Sequence, residues 1–367
     1  MKKLSYALLA TAALGIVSCA GNQNGYTVNG NIKEGATDGD TILIQKEQGR
    51  SLVPVDTILV KNNKFSFTGT QDTATMRYLT FTKKDGNAIT AKFVLENGQI
   101  NIDITDKAKV SGTVSNDALQ SFNEQMEALN QKAEPLAKII YNPETDEETR
   151  NSKMAEFEAL ENEYRTTIDN AVINNITNLT GISLYKSAYY NYSTEKNDSI
   201  LKLIPEMYQT DEGIAFIKKT VEKQKATAPG QKFIDFEMKT PEGEAIKLSD
   251  YIGKGKVVLI DFWASWCGPC RHEMPNIVAA YKQYKDKNFE IVGVSLDRDL
   301  EAWKKAIKDD GITWPQMSDL KFWQSEGAQL YAVNSIPHTV LVDGEGTILA
   351  RGLHGEELQT KLAEVLK

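Results

Sequence analysis

Cys267 and Cys270 carry the clearest chemical signal in this chain. They lie in the segment Trp-Cys-Gly-Pro-Cys (266–270), between an apolar run and a helical pattern. Two cysteines at this spacing can close a small disulfide. When a tight turn with this motif lies between a strand and a helix, its first thiol is typically a redox nucleophile. The predicted chemistry is reversible thiol–disulfide exchange.

The helix expected after this turn assigns different roles to the two sulfurs. A thiol attacks only as the thiolate, which the free N–H groups and dipole of a helix N-terminus stabilise. Cys267, preceding the helix, is therefore expected to be the exposed nucleophile that forms a mixed disulfide with a substrate. Cys270, one turn further on and more buried, is expected to resolve that mixed disulfide and release the reduced product.

A zinc knuckle is the alternative interpretation of this cysteine pair. Cys-x-x-Cys is half of a zinc site, and His272 or His338 could supply further ligands. The chain carries no second Cys-x-x-Cys and no pair of histidines at regular spacing, so no metal site is predicted. No cofactor is expected beyond the redox-active Cys267–Cys270 disulfide.

Composition predicts a multidomain chain with three zones that would position this turn. Residues 26–114 carry short alternating apolar runs separated by Gly, Asn and Asp, which favours a β-rich sandwich or barrel. Residues 115–227 nearly lose glycine and place apolar residues at helical spacing, which predicts an α-helical middle region. Residues 228–367 alternate strand and helix patterns, which predicts an α/β domain with a central sheet.

Several boundaries within these zones can also be predicted. Asp85-Gly86 and Asn97-Gly98 are typical of hairpin turns, and breaks between helices are expected near Pro143, Gly181 and Pro205. In the α/β zone the patterns predict strands at 257–263, 289–296 and 339–343, and helices at about 270–287, 299–309, 324–331 and 355–366.

The first residues predict a targeting segment. Two lysines precede a short apolar stretch over residues 4–17, too short to cross a bilayer comfortably. The stretch ends in Ile-Val-Ser-Cys19, which resembles a bacterial lipobox, in which the cysteine is acylated and becomes the mature N-terminus. This resemblance implies a signal peptide over 1–18, a tether over 19–25 and a lipid anchor on Cys19.

The lipobox implies a place in the cell envelope, facing the periplasm. The residue after Cys19 is Ala20, and the aspartate that retains some bacterial lipoproteins in the inner membrane is absent, so the outer membrane is favoured by analogy. No later segment approaches the length of a membrane span. The net charge of −8 argues against binding to nucleic acid.

The run Val-Leu-Ile-Asp-Phe-Trp-Ala-Ser-Trp-Cys-Gly-Pro-Cys-Arg-His-Glu-Met-Pro (258–275) resembles the thioredoxin superfamily, specifically its TlpA/ResA-like branch of AhpC/TSA-type envelope proteins. The resemblance covers about residues 229–367 and implies a thioredoxin fold with thiol–disulfide oxidoreductase activity. The Gly268-Pro269 dipeptide is that of reducing thioredoxins. The zones before it resemble an uncharacterised N-terminal domain that is fused to such proteins in Gram-negative lipoproteins.

This resemblance implies roles for further residues. Ile336-Pro337 matches the loop whose proline is cis and packs beside the disulfide, leaving the preceding backbone free to pair with an extended substrate. Asp261 matches the buried carboxylate that takes the proton from Cys270, and Glu273 matches the active-site glutamate of the ResA-like branch. Which of the two carboxylates accepts the proton is left open.

The predicted substrate-binding residues are Trp266, Gly268 and Pro269 together with the Ile336-Pro337 loop. Trp266 is expected to cover the site rather than take part in the chemistry. His338 occupies a position where relatives often carry threonine. The sequence leaves open whether it titrates near the site or faces solvent.

Three functions follow as hypotheses. The first is a lipid-anchored envelope reductase of protein disulfides, with misoxidised proteins or apocytochromes as clients and, by analogy, a membrane electron donor of the DsbD or CcdA type. The second is a peroxiredoxin-like peroxidase, although Ala-Ser-Trp (264–266) does not fit the Pro-x-x-x-Thr-x-x-Cys pattern of that group. The third is a client-binding module with secondary redox activity.

Overall fold

The structure is a computed structural model and describes residues 25–33, 35–49 and 51–366. It divides into two compact units, Met1–Ser187 and Ala188–Lys367. The predicted signal peptide, the predicted lipid attachment site Cys19 and most of the predicted tether lie outside the described residues.

The first unit opens with strands of a β-sandwich. They are β1 (Tyr26–Ile32), β2 (Thr41–Gln48), β3 (Ser51–Leu59), β4 (Lys64–Gly69), β5 (Thr75–Thr82), β6 (Ala88–Leu95), β7 (Gly98–Ile104) and β8 (Ala108–Ser111). They form two four-stranded sheets, in the orders β4-β1-β7-β8 and β3-β2-β5-β6, and side chains of both sheets share one apolar core. Burial alternates along β7, as it does in strands with one face towards a core. The predicted β-rich N-terminal region is confirmed.

The two predicted hairpin turns have different outcomes. Asp85-Gly86 lies in the turn between the paired strands β5 and β6. The hairpin prediction for Asn97-Gly98 is wrong, because β6 and β7 belong to different sheets. The Asn97 side chain instead exchanges two hydrogen bonds with the backbone of Gln71, at 3.0 and 2.8 Å, and Gly98 donates to the carbonyl of Gly25. These contacts fix a crossover between sheets.

Helices complete the first unit and begin the second, and the predicted α-helical middle region is confirmed. The first unit holds α1 (Val114–Ile140), α2 (Glu147–Asn175) and α3 (Leu179–Ala188), which ends at the boundary. Gly181 lies inside α3 rather than at the break, and a Cβ added there would stand 2.0 Å from the carbonyl oxygen of Asn175. The glycine thus permits the close approach of α3 to the end of α2.

The second unit starts with a short 3-10 turn and the helices α4 (Thr194–Leu201) and α5 (Glu212–Ala226). Its sheet contains β9 (Glu237–Lys239), β10 (Ala245–Lys247), β11 (Val257–Trp263), β12 (Phe289–Ser295), β13 (Gln316–Ser318), β14 (His338–Val342) and β15 (Ile348–Arg351). The helices α6 (Gly268–Tyr284), α7 (Leu300–Asp309), α8 (Glu326–Leu330) and α9 (Gly355–Val365) alternate with these strands. The predicted C-terminal α/β domain is confirmed.

The strand order β10-β9-β13-β12-β11-β14-β15 determines where the site lies. β11 is central and pairs with β12 in parallel, so both strands end at the same edge of the sheet. β14 runs antiparallel to β11, with His338 opposite Phe262, so β14 begins at that edge. The Cys turn after β11, the loop after β12 and the loop before β14 therefore meet there.

Within the part of the chain that the structure describes, each helix is too short or too polar to span a bilayer.

Candidate active site

Cys267 and Cys270 form a disulfide where β11 gives way to α6. The S–S distance is 1.99 Å and the two Cα atoms are 5.3 Å apart. Cys267 is the N-cap residue of α6, and its sulfur accepts a hydrogen bond of 3.2 Å from the backbone N–H of Cys270. The sulfur of Cys267 therefore lies where the helix N-terminus would stabilise a thiolate.

The two cysteines differ in burial in the predicted direction, although the difference is small in the disulfide form. Cys267 is 5% exposed and Cys270 is 1% exposed. The neighbouring Gly268 and Pro269 are exposed, and Trp266 is 46% exposed. The rim of the disulfide thus consists of the residues that the sequence predicts as substrate contacts.

The loop before β14 also borders the disulfide. The Ile336–Pro337 peptide bond is cis, and the carbonyl oxygen of Ile336 lies 3.7 Å from the sulfur of Cys267. Both residues of this peptide are half-buried. The backbone just before Pro337 thus borders the reactive sulfur, where an extended polypeptide could pair with it.

Asp261 lies in the centre of β11, between Gly293 of β12 and Thr339 of β14. Its side chain is fully buried and neither carboxyl oxygen has a hydrogen-bond partner. Burial, and to a lesser degree the negative charge of Glu273, raises the pKa of Asp261 to about 7. A carboxyl group with such a pKa can accept and return a proton near neutral pH.

Glu273, in the first turns of α6, has fixed hydrogen-bond donors. One carboxylate oxygen accepts the backbone N–H of Gly355 at 2.7 Å, and the other accepts the side-chain amide of Asn276 at 3.3 Å. Gly355 is the first residue of α9, so the carboxylate also lies at the N-terminus of that helix. The two carboxylates are therefore placed differently: Asp261 has no partner, whereas Glu273 is anchored.

Asp297, just after β12, is a site residue that sequence reasoning missed. This buried carboxylate accepts the backbone N–H of Ser265 at 3.0 Å, the hydroxyl of Ser265 at 2.5 Å and the hydroxyl of Ser295 at 2.8 Å. Charge-assisted hydrogen bonds of this kind are about twice as strong as neutral ones. They fix the backbone two residues before Cys267.

Arg271 provides a second clamp that sequence reasoning missed. Its guanidinium forms a two-pronged ion pair with Asp310 at the end of α7, with one contact of 2.7 Å, and both side chains are mostly buried. It also approaches the carbonyl of Ser265 at 3.4 Å. The Cys turn is therefore tied both to the loop after β12 and to α7.

His338 neither faces solvent nor titrates near neutral pH, the two possibilities that the sequence left open. Its ring Nε2 lies 3.3 Å from a guanidinium nitrogen of Arg351, and arginine can only donate, so Nε2 is the acceptor. Burial, and then the charges of Arg351 and His354, lowers the pKa of His338 to about 3. The ring is therefore a neutral structural partner of Arg351.

His338 and Arg351 also line a cavity of about 430 Å³ beside the cis-proline loop. Its other walls include Ser335 of that loop and Tyr189 and Tyr192, which precede α4. The residues before the central sheet therefore contribute to the surroundings of the cis-proline.

No group of three or more His, Cys, Asp or Glu side chains within the described part of the chain could hold a metal ion. His272, one candidate ligand for a zinc knuckle, is exposed on α6. Cys267 and Cys270, which the zinc-knuckle interpretation would use as ligands, are joined in the disulfide.

Comparisons with known proteins agree with this geometry. Residues 229–351 match the AhpC/TSA family, and residues 26–119 match a domain of unknown function, DUF4369. The thiol-disulfide oxidoreductase ResA of Bacillus thuringiensis subsp. konkukian is 32% identical over 145 residues, which are 40% of this chain and 80% of that protein. ResA of Geobacillus kaustophilus is 34% identical over 133 residues, 36% of this chain and 71% of that protein.

Solved structures similar to this chain carry related descriptions. The thioredoxin domain of a thiol-disulfide oxidoreductase from Bacteroides vulgatus is 37% identical, with a TM-score of 0.36, and the match covers 38% of this chain and 99% of that one. A thiol-disulfide oxidoreductase from Bacteroides fragilis is 38% identical, with a TM-score of 0.36 and coverage of 37% and 100%.

A disulfide at the start of a helix in a thioredoxin-like α/β domain defines a thiol–disulfide oxidoreductase. Given the matches to ResA, this chain belongs to the ResA-like thiol–disulfide oxidoreductases, with an AhpC/TSA domain in its C-terminal region and a DUF4369 domain in its N-terminal region. The predicted family membership is confirmed.

Proposed function

We propose that the protein is a lipid-anchored reductase of protein disulfides that works on the periplasmic side of the cell envelope. The observation that carries this proposal is the position of Cys267. Its sulfur caps a helix N-terminus and lies 3.7 Å from the carbonyl oxygen of Ile336, which precedes a cis proline. This arrangement places a stabilised thiolate beside a backbone edge that can hold an extended polypeptide.

The reaction begins with the dithiol form of the protein. The thiolate of Cys267 attacks one sulfur of a client disulfide, which breaks the client S–S bond and forms a mixed disulfide. Cys270 then loses its proton and attacks the sulfur of Cys267, which releases the client as a dithiol and leaves the Cys267–Cys270 disulfide. Two electrons pass to the client, so a membrane donor of the DsbD or CcdA type is proposed to restore the dithiol.

We assign the proton of Cys270 to Asp261 and a tuning role to Glu273. Asp261 is buried with no hydrogen-bond partner, and its pKa of about 7 suits a group that changes protonation state near neutral pH. Glu273 is held by the backbone N–H of Gly355, and its charge contributes to the raised pKa of Asp261. Glu273 therefore acts on the proton acceptor rather than replacing it.

Sequence features support the reducing direction and the envelope location. The Gly268-Pro269 dipeptide and Ile336 before the cis proline resemble reducing thioredoxins. Cys19 ends a lipobox-like segment, and Ala20 lacks the inner-membrane retention signal. Misoxidised proteins and apocytochromes are the proposed clients.

Reduction of insulin by the reduced protein tests the activity. We expect turnover in the wild type and none in Cys267→Ser, and turnover that persists in this variant would refute the proposal. A parallel assay with a hydroperoxide as the substrate tests the alternative, a peroxiredoxin-like peroxidase. Hydroperoxide turnover as fast as disulfide reduction would indicate a peroxidase.

The cellular location of the protein and the direction of its electron transfer are tested by measurements on native cells. Acid quenching followed by thiol alkylation reports the oxidised and reduced fractions of the protein, and we expect the dithiol to dominate. Fatty-acid labelling that is lost in Cys19→Ala would support the anchor. A disulfide form that dominates at steady state would instead indicate an oxidant.

A further inference from the structure

Three partly exposed aromatic side chains form a surface beside the nucleophile. The rings of Trp266 and Phe322 are 4.9 Å apart between centroids, those of Trp266 and Trp323 are 6.1 Å apart, and those of Phe322 and Trp323 are 5.9 Å apart. Trp266 directly precedes Cys267 in the chain. We refer to Trp266, Phe322 and Trp323 as the aromatic platform.

The loop that carries Phe322 and Trp323 is held by several hydrogen bonds. Asp319 accepts the backbone N–H groups of Lys321 and Glu326, at 3.1 and 2.9 Å. The amide of Gln329 donates to the carbonyl of Trp323 at 2.9 Å. The guanidinium of Arg298 lies 4.0 Å from the centroid of the Phe322 ring, at cation–π distance. The rings are therefore presented in a defined arrangement.

The backbone of this loop favours glycine, yet it carries large side chains. Leu320 and Phe322 have φ angles of +55° and +58°, the left-handed region in which a bulky side chain is a true outlier. Such outliers concentrate at functional sites, where the surrounding structure maintains them. The Phe322 ring is only half-buried, and glycine would relieve the backbone strain at this position. We therefore expect this side chain to contribute little to the stability of the fold.

We propose that the aromatic platform binds an aromatic or large aliphatic side chain of a client polypeptide, close to the disulfide that Cys267 attacks. Trp266 belongs to the platform and directly precedes the nucleophile Cys267. A client whose cysteine is bound to Cys267 therefore places the residues beside that cysteine over these rings, so the client polypeptide is the expected ligand. Aromatic faces attract apolar and aromatic side chains, and burying them displaces water. The platform therefore selects clients with apolar residues beside the disulfide, as in unfolded chains.

This inference rests on the proposed disulfide exchange and is tested with model substrates. Short peptides closed by one disulfide carry Phe, Leu, Ser or Glu next to one cysteine, and oxidised glutathione is the reference disulfide. For the full chain in its reduced form, we expect kcat/KM to be about tenfold higher for the Phe and Leu peptides than for the Ser peptide, which corresponds to about 1.4 kcal/mol.

Phe322→Gly separates a binding role from a structural one. The variant relaxes the backbone at this position, so its melting temperature is expected to equal or exceed that of the wild type, while the preference for Phe over Ser falls about tenfold. Phe322→Ala removes the ring but keeps a Cβ at positive φ, and it should lose the same preference. Phe216→Ala removes another exposed phenylalanine of the same unit and should keep the wild-type preference.

Equal rates for the Phe and Ser peptides in the wild type, or an unchanged preference in both Phe322 variants, would overturn the inference. So would dimerisation of the wild type that Phe322→Gly abolishes, because a second copy would then cover the platform. Binding of a Phe peptide with serines in place of its cysteines, followed by tryptophan fluorescence, tests the platform without redox chemistry. If glutathione exchange is absent while this peptide binds, the proposed function fails and the platform stands.

Discussion

Removing the buried charge of Asp261 is expected to stabilise the second unit, increasingly so as the pH rises. The side chain is fully buried without a hydrogen-bond partner, and its pKa is about 7 against an ordinary value of 3.8. Each pKa unit corresponds to 1.36 kcal/mol, so the ionised carboxylate destabilises the fold by about 4 kcal/mol. Asp261→Asn removes that penalty.

The direction of this pH dependence follows from the raised pKa of Asp261. Below about pH 4 the carboxyl is protonated in both the folded and the unfolded chain, and the wild type carries no charge penalty. Between about pH 4 and pH 7 the unfolded chain releases the proton while the folded chain retains it, so wild-type stability falls as the pH rises. Above about pH 7 the full penalty applies.

Urea unfolding of the oxidised protein, followed by tryptophan fluorescence, measures this effect. The chain has five tryptophans, Trp263, Trp266, Trp303, Trp314 and Trp323, and all lie in the second unit, so the signal reports that unit. With a slope of about 2 kcal/mol/M, the unfolding midpoint of Asp261→Asn should exceed that of the wild type by about 2 M more at pH 8 than at pH 4.

A surface carboxyl provides the control for this experiment. Glu345 is exposed, and Glu345→Gln should unfold at the wild-type urea concentration at each pH. A difference between Asp261→Asn and the wild type that stays constant from pH 4 to pH 8 would refute the argument, because it would mean that the carboxyl is not desolvated.

Three further predictions concern the surroundings of the disulfide. Glu273→Gln should move the acidic limb of the pH–rate profile for disulfide reduction to lower pH, because the charge of Glu273 raises the pKa of Asp261; a move to higher pH would contradict this. His338→Asn should leave the shape of that profile unchanged between pH 5 and pH 8, since the pKa of His338 is about 3; a lost limb would contradict this. Asp310→Asn should destabilise the second unit by about 2 kcal/mol in urea, because it weakens the ion pair with Arg271, whereas the exposed Asp309→Asn should stay within about 0.5 kcal/mol of the wild type; equal effects would contradict this.

Much of the second unit could be predicted because its central strands are buried on both faces. β11 and β12 are predominantly apolar runs of seven residues, which is the pattern that predicts a buried strand. The short strands β9 and β13 were not predicted. Each has three residues, Glu-Met-Lys and Gln-Met-Ser, and owes its conformation to pairing with neighbours rather than to its own pattern.

In the candidate site, too, the local features could be predicted from the sequence and the long-range contacts could not. The Cys-Gly-Pro-Cys turn is local and can be recognised from spacing, and the family resemblance suggested Asp261, Glu273 and Pro337. Asp297 reaches Ser265 across 32 residues, and Asp310 reaches Arg271 across 39. Such contacts follow from the parallel pairing of β11 with β12 and the docking of α7, which no local pattern encodes.

Trapping of client mixed disulfides shows which cysteine attacks the client. Full-length Cys270→Ala, produced in the native envelope, keeps the nucleophile and lacks the resolving thiol, so it should accumulate disulfide-linked complexes through Cys267 that reductant dissolves. Cys267→Ala should accumulate far fewer. Complexes that form through Cys270 as readily as through Cys267, or in neither variant, would show that Cys267 is not the nucleophile towards client disulfides.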